Sequence, residues 1–94
     1  MLIEPLSAVD ARTLVRKILA DHDVTFTKHA EDEMAKDNLT APDVANILRN
    51  GIVDAPEFEN GSWRYRVRTQ HIVVVVAFRS ETEARVITAW RIRR

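Results

Sequence analysis

Cysteine is absent from this 94-residue chain, and with it go a disulfide framework, a zinc knuckle and a thiolate nucleophile. Glycine occurs only at Gly51 and Gly61, and no linker, repeat or low-complexity tract divides the sequence. The longest apolar run, Ile72 to Phe78, falls far short of the roughly 20 residues a membrane-spanning helix needs. The opening Met1-Leu2-Ile3-Glu4-Pro5-Leu6-Ser7 has no basic region and no long apolar stretch, so no signal peptide is expected. A reducing, cytoplasmic setting fits these absences. The length suits one domain over residues 1–94, with an N-terminal helix within 1–22 and the remaining elements in 23–94.

Net charge is also absent, but only as a sum. Residues 1–60 hold 12 acidic against 6 basic side chains, giving −6, while residues 61–94 hold 2 against 8, giving +6. An asymmetry of this kind suggests an electrostatic partner for one side of the molecule. The plainer reading is a polar helical layer over a sheet with exposed arginines.

Ser7-Ala8-Val9-Asp10 matches a capping box, and Ala11, Leu14, Val15, Ile18 and Leu19 follow at helical spacing, predicting a helix from Ala8 to Ala20. Val24 to Thr27 is a short extended piece, and Thr27 caps a second helix that Asp37-Asn38 breaks. Thr40-Ala41-Pro42-Asp43 opens a third helix, which Gly51 ends as a C-terminal cap. Strands are expected loosely over 52–59, then over 62–69, 72–79 and 85–93, with Asn60-Gly61 as a hairpin turn. The central run Ile72 to Phe78, apolar on both faces, belongs mid-sheet. Helices first and strands after give an α+β fold, with two to three helices packed on one face of a small antiparallel sheet.

Side chains of a strand alternate between faces. Arg64, Arg66 and Arg68 therefore share one face, with Trp63, Tyr65 and Val67 on the other as core residues. By the same alternation Trp90 joins Val86 and Ile92 in the core, and Arg91 and Arg93 join the arginine face with Arg79. Guanidinium forks bind phosphate bidentately, so such a row makes a backbone clamp. The alternative is a solvated face kept basic against edge-to-edge aggregation.

Phe26-Thr27-Lys28-His29-Ala30, Met34, Leu39-Thr40-Ala41-Pro42-Asp43-Val44, Ile47-Leu48-Arg49-Asn50-Gly51 and Ile87-Thr88-Ala89-Trp90-Arg91 form one series. It resembles a family of short bacterial domains of unknown function, across about residues 24–92. The layout is also similar to RelE, MqsR and BrnT-type toxins, which are mRNA interferases. The resemblance implies a RelE/MqsR-like fold, an RNA substrate and a cognate antitoxin. Two positions that are basic in the pattern read Glu33 and Asp37 here.

Metal-independent RNA cleavage needs a base for the 2′-hydroxyl, cations for the phosphorane and an acid for the leaving oxygen. His29, in the first turn of the second helix, is one acid–base candidate, and the other reading makes it a structural bridge between helix and sheet. His71, at a corner between strands, is a second acid–base candidate or simply a turn residue. Lys28, Arg64, Arg68, Arg79 and Arg91 are expected to hold RNA phosphates, and Arg66 to act at the cleavage centre. His29 and Glu33 sit one helical turn apart but lack a third ligand, and neither metal nor cofactor is expected. The expected function is a toxin-like RNA endonuclease of a type II toxin–antitoxin pair. The alternative is a non-catalytic module on the same scaffold that binds a protein or a nucleic acid.

Overall fold

The computed structural model describes residues 1–93. Three helices, α1 (Ala8–Asp21), α2 (Lys28–Lys36) and α3 (Ala41–Asn50), surround a short first strand, β1 (Asp23–Phe26). Five strands follow: β2 (Ile52–Val53), β3 (Glu57–Glu59), β4 (Ser62–Arg68), β5 (Ile72–Ser80) and β6 (Glu83–Arg91). The expected element order holds, and the stretch expected loosely as one strand over 52–59 divides into two short pieces, β2 and β3.

Local chemistry fixes each helix end. The Ser7, Thr27 and Thr40 hydroxyls accept from the backbone N–H three residues on, and Asp43 returns the bond to Thr40, completing a capping box on α3. Helix α2 ends in a Schellman motif: Leu39 N–H donates to the Met34 carbonyl at 2.8 Å, and Asn38 N–H donates to Ala35. Asn38 takes the left-handed conformation there, at φ 54°. Gly51 caps α3, as expected, without the left-handed conformation common at helix ends. Its φ is −76°, which any residue adopts. A Cβ there would lie 2.7 Å from the Ile47 carbonyl oxygen and 2.8 Å from Val67 Cγ1, so close packing excludes a side chain.

Strand β5 is the centre of a sheet ordered β1-β6-β5-β4-β2, with β3 paired to β4 beyond that path. The meander β4–β5–β6 is antiparallel, as expected. The sheet as a whole is mixed, because β1 runs parallel to β6, with Asp23 opposite Glu83 and Phe26 opposite Val86. The chain between these strands contains two helices and the rest of the meander, which is the long crossover a parallel pair requires. The β1 segment closes the edge of β6 that the hairpins leave open.

All three helices lie on one face. Ala11, Val15 and Ile18 of α1, Ala30 and Met34 of α2, and Val44, Ile47 and Leu48 of α3 cover Tyr65, Val67, Val74, Val76, Phe78, Ala84, Val86 and Ala89 of the sheet. Each large aliphatic side chain so buried stabilises the fold by about 1.5–3 kcal/mol.

Tyr65 is the largest fully buried residue. Its hydroxyl accepts from Leu6 N–H at 2.9 Å and donates to Glu4 Oε2 at 2.9 Å, pinning the N-terminal segment to the core. Burial, aided by the Glu4 carboxylate and opposed by the Leu6 N–H, pushes the phenol from 10.0 up to about 12. Below pH 10 the phenol is neutral in both folded and unfolded chains, so its full stabilisation is present. Above pH 10 only the unfolded chain ionises readily, and stability is lost as the pH climbs towards 12. Tyr65→Phe should cost about 1–2 kcal/mol at pH 7, because Leu6 N–H loses its acceptor, and should flatten the alkaline loss. Urea denaturation at pH 7 and at about pH 11 checks both.

Candidate nucleic-acid interface

Strand β6 carries one residue more than its partner. Val75 lies opposite Thr88 and Val76 opposite Val86, so Ile87 is a bulge. The extra residue reverses the alternation. Ala84 and Val86 point to the helices before it, and Ala89 does so after it. Trp90 therefore leaves the core expected for it and stands on the outer face with Thr88, opposite Val73. Arg91 moves the other way, to the helix side of the sheet, where it is exposed beside the α2–α3 turn.

The outer face is a valine floor roofed by arginine stems. Val73, Val75 and Ala77 are buried although no helix covers them. Their cross-strand partners are Arg68 and Trp90, Arg66 and Thr88, and Arg85 respectively. Long aliphatic stems shield apolar surface in this way while their charges stay wet.

Arg64, Arg66 and Arg68 share this face, as expected from the sequence. The segment 54–59 runs beside them, and the Asn60-Gly61 turn sets its register, with Glu59 opposite Ser62 and Glu57 opposite Arg64. Both turn residues have positive φ, 48° and 80°. Arg64 Nη1 lies 3.6 Å from Glu59, and Arg68 Nε donates to both Asp54 oxygens at 3.1 and 2.9 Å. Arg66 differs: its guanidinium carbon sits 5.7 Å from the centroid of Trp90, and among the described residues it has no carboxylate partner. A cleft of about 130 Å³ opens here, lined by Arg64, Arg66, Glu57 and Glu59, with Trp90, Thr88 and Val75 as its floor. Arg64 Nε is buried with no acceptor.

The other candidate residues lie elsewhere. His29 is exposed on α2, whose buried Ala30 and Met34 face the helix side of the sheet, so the sheet separates that helix from Arg64 and Arg66. The bridge from α2 to the sheet is made by its neighbour, since Thr27 Oγ1 donates to the Ile87 carbonyl at 3.0 Å. Lys28 faces Asp32 at 3.7 Å. His71 is exposed in the β4–β5 turn. Arg79 is exposed beside the β5–β6 turn, without an ion pair among the described residues. The structure thus joins Arg64, Arg66 and Arg68 on one face, places His29 on a helix across the sheet, and puts His71 in the turn three residues beyond Arg68.

Arg91 and Arg93 are corrections to the expected arginine face. Arg91 Nε donates to the Asp37 carbonyl at 2.8 Å, its backbone N–H donates to Asp37 Oδ2 at 2.8 Å, and Arg93 pairs with Asp37 Oδ1. The Asp37 carboxylate is the clasp holding the end of β6 to the α2–α3 turn. Its side chain is only 9% exposed. Glu33 pairs with Lys36 at 3.2 Å. Sequence reasoning missed Asp54, Glu57, Glu59 and Trp90 as parts of the site. A readable signal existed for one of them, because the two-residue Asn60-Gly61 turn already puts Glu57 across from Arg64. Asp37→Ala should lower stability by about 1–3 kcal/mol, since it removes the acceptor of a backbone N–H and the partner of a guanidinium. The midpoint of guanidinium denaturation, compared with that of the unaltered protein, measures it.

No curated protein and no solved structure matches the chain. Among the described residues, no helix is long and apolar enough to cross a membrane. The similarity that exists covers α2, α3 and the meander, and extends from the last residue of β1 to the last residue of β6. Residues 26–91 match the family described as Domain of unknown function (DUF4258), and the chain belongs to that family.

Proposed function

We propose that this domain binds single-stranded RNA across the outer face of its sheet. The observation that carries this reading is Arg66, a guanidinium without an ion pair among the described residues, lying over the Trp90 ring in a cleft it shares with Arg64. Bases stack on guanidinium and aromatic planes, while neighbouring cations hold the backbone, and together these supply sequence-tolerant affinity. Arg66→Ala should weaken binding of a fluorescein-labelled oligouridylate at least tenfold, and Arg66→Lys should recover only part of it, because lysine keeps the charge but not the plane. Fluorescence anisotropy at two salt concentrations tests this. Binding that ignores salt, or is unchanged in Arg66→Ala, rules the reading out.

A second reading, cleavage of the bound RNA by a RelE- or MqsR-like interferase held in check by an antitoxin, is favoured by one feature. Glu57 and Glu59 line the same cleft as Arg64 and Arg66, so a carboxylate base and a phosphate clamp share a site. The base in this version is Glu57, because the helix bearing His29 lies behind the sheet. Induction in a bacterial host should then arrest growth and generate new RNA ends, and Glu57→Gln should abolish both. Normal growth with intact RNA, from protein shown to be folded, leaves the binding module alone.

A further inference from the structure

The carboxylates along β4 are not spread at random over the arginine row. Asp54 takes Arg68 at one end and Glu59 takes Arg64 at the other, while Arg66 between them keeps Trp90 instead. At 3.3 Å per residue, Arg64 and Arg68 stand about 13 Å apart with Arg66 midway. That step is comparable to the one between successive phosphates of an extended single strand.

The two end pairs are also unequal in quality. The Arg68–Asp54 pair is close, whereas Glu59 reaches only Nη1 of Arg64 at 3.6 Å and leaves Arg64 Nε buried without an acceptor. A buried donor without a partner is destabilising, and an anion presenting two oxygens to the Nε–Nη edge removes that cost once the guanidinium turns towards the cleft. A carboxylate bound to arginine resembles a phosphodiester in charge and in oxygen geometry.

We infer that Asp54 and Glu59 are built-in counter-ions occupying two phosphate subsites, so that a tract of three nucleotides lies along β4. Its outer phosphates displace Glu59 from Arg64 and Asp54 from Arg68, and its central nucleotide stacks in the Arg66–Trp90 cleft. This rests on the RNA-binding reading and adds to it a footprint and a competition. With the counter-ions in place the free protein carries no unpaired end cations, which keeps affinity for unspecific polyanions low.

The test uses Asp54→Asn and Glu59→Gln, both nearly isosteric and confirmed as folded by their melting temperatures. Each should tighten binding of a short oligouridylate by roughly two- to fivefold, the scale of one exposed ion pair. Each should steepen the log–log salt dependence by about 0.7, the increment per phosphate for single strands. In a length series, affinity should rise until three phosphates are present and then level off. The inference is overturned if both variants bind as the unaltered protein does while Arg66→Ala still weakens binding. It is overturned equally if inorganic phosphate binds as tightly as the trinucleotide, which would make the subsites receptors for lone phosphate. Absence of oligonucleotide binding by any form, the two variants included, removes the RNA-binding reading as well.

Discussion

A single inserted residue organises both sides of this protein. With Ile87 bulged out of register against Val75 and Val76, the last turn of alternation in β6 is inverted. Trp90 reaches the outer face and gives Arg66 a ring to lie on, and Arg91 turns to the opposite side and reaches the α2–α3 turn. The bulge also leaves the Ile87 carbonyl facing the Thr27 hydroxyl, which caps α2 and donates to it. Cleft, clasp and helix anchor all depend on one phase change. Bulges of this kind re-aim side chains near sites and barrel rims, and here the re-aimed side chain is the aromatic floor of the cleft.

Charge is arranged with similar economy. The basic excess of residues 61–94 suggests a strongly cationic sheet, but the acidic segment 54–59 lies against it in register. Three carboxylates, Asp54, Glu57 and Glu59, flank three guanidiniums, Arg64, Arg66 and Arg68. On the other side Arg93 pairs with the Asp37 carboxylate, and the Arg91 guanidinium is taken up by the backbone carbonyls of Asp37 and Asn38. The field seen at a distance is therefore much weaker than the sequence asymmetry implies. What the outer face retains is local: one guanidinium on a ring, and partners that exchange in water at a cost of about 1 kcal/mol or less per exposed pair.

The legible parts of the sequence were those governed by neighbours. Capping residues Ser7, Thr27 and Thr40, the left-handed turn at Asn60-Gly61, and the doubly apolar β5 all act within a few residues, and all three helices and the meander followed from them. The parallel pairing of β1 was not legible, because four residues carry no signal of which distant edge they will cover. Trp90 and Arg91 were misplaced for a sharper reason. Strict alternation from Val86 to Ile92 holds in the sequence, and nothing in Ile87 itself announces that β5 will offer it no partner. Of the site, the arginine row was readable from period two, whereas its counter-ions required the register of a hairpin. His29 drew attention by residue type, and residue type says nothing about which side of a sheet its helix will take.

That last point bears on chemistry. General acid–base catalysis requires groups within hydrogen-bond reach of the same reacting atoms. Arg64 and Arg66 line one cleft with Glu57 and Glu59, and the helix carrying His29 lies beyond the sheet from them. The guanidiniums exchange a neighbouring carboxylate for an arriving phosphodiester, which carries the same charge and presents two comparable oxygens. Binding and chemistry thus compete for the same arginines. A face whose carboxylates serve as counter-ions gains selectivity for a ligand that can replace them, and a face whose carboxylate serves as a base must keep it close to the ligand it has displaced. Glu59, paired with Arg64, is arranged for the first role. Glu57, lining the cleft without an ion pair among the described residues, is the one carboxylate free to take the second.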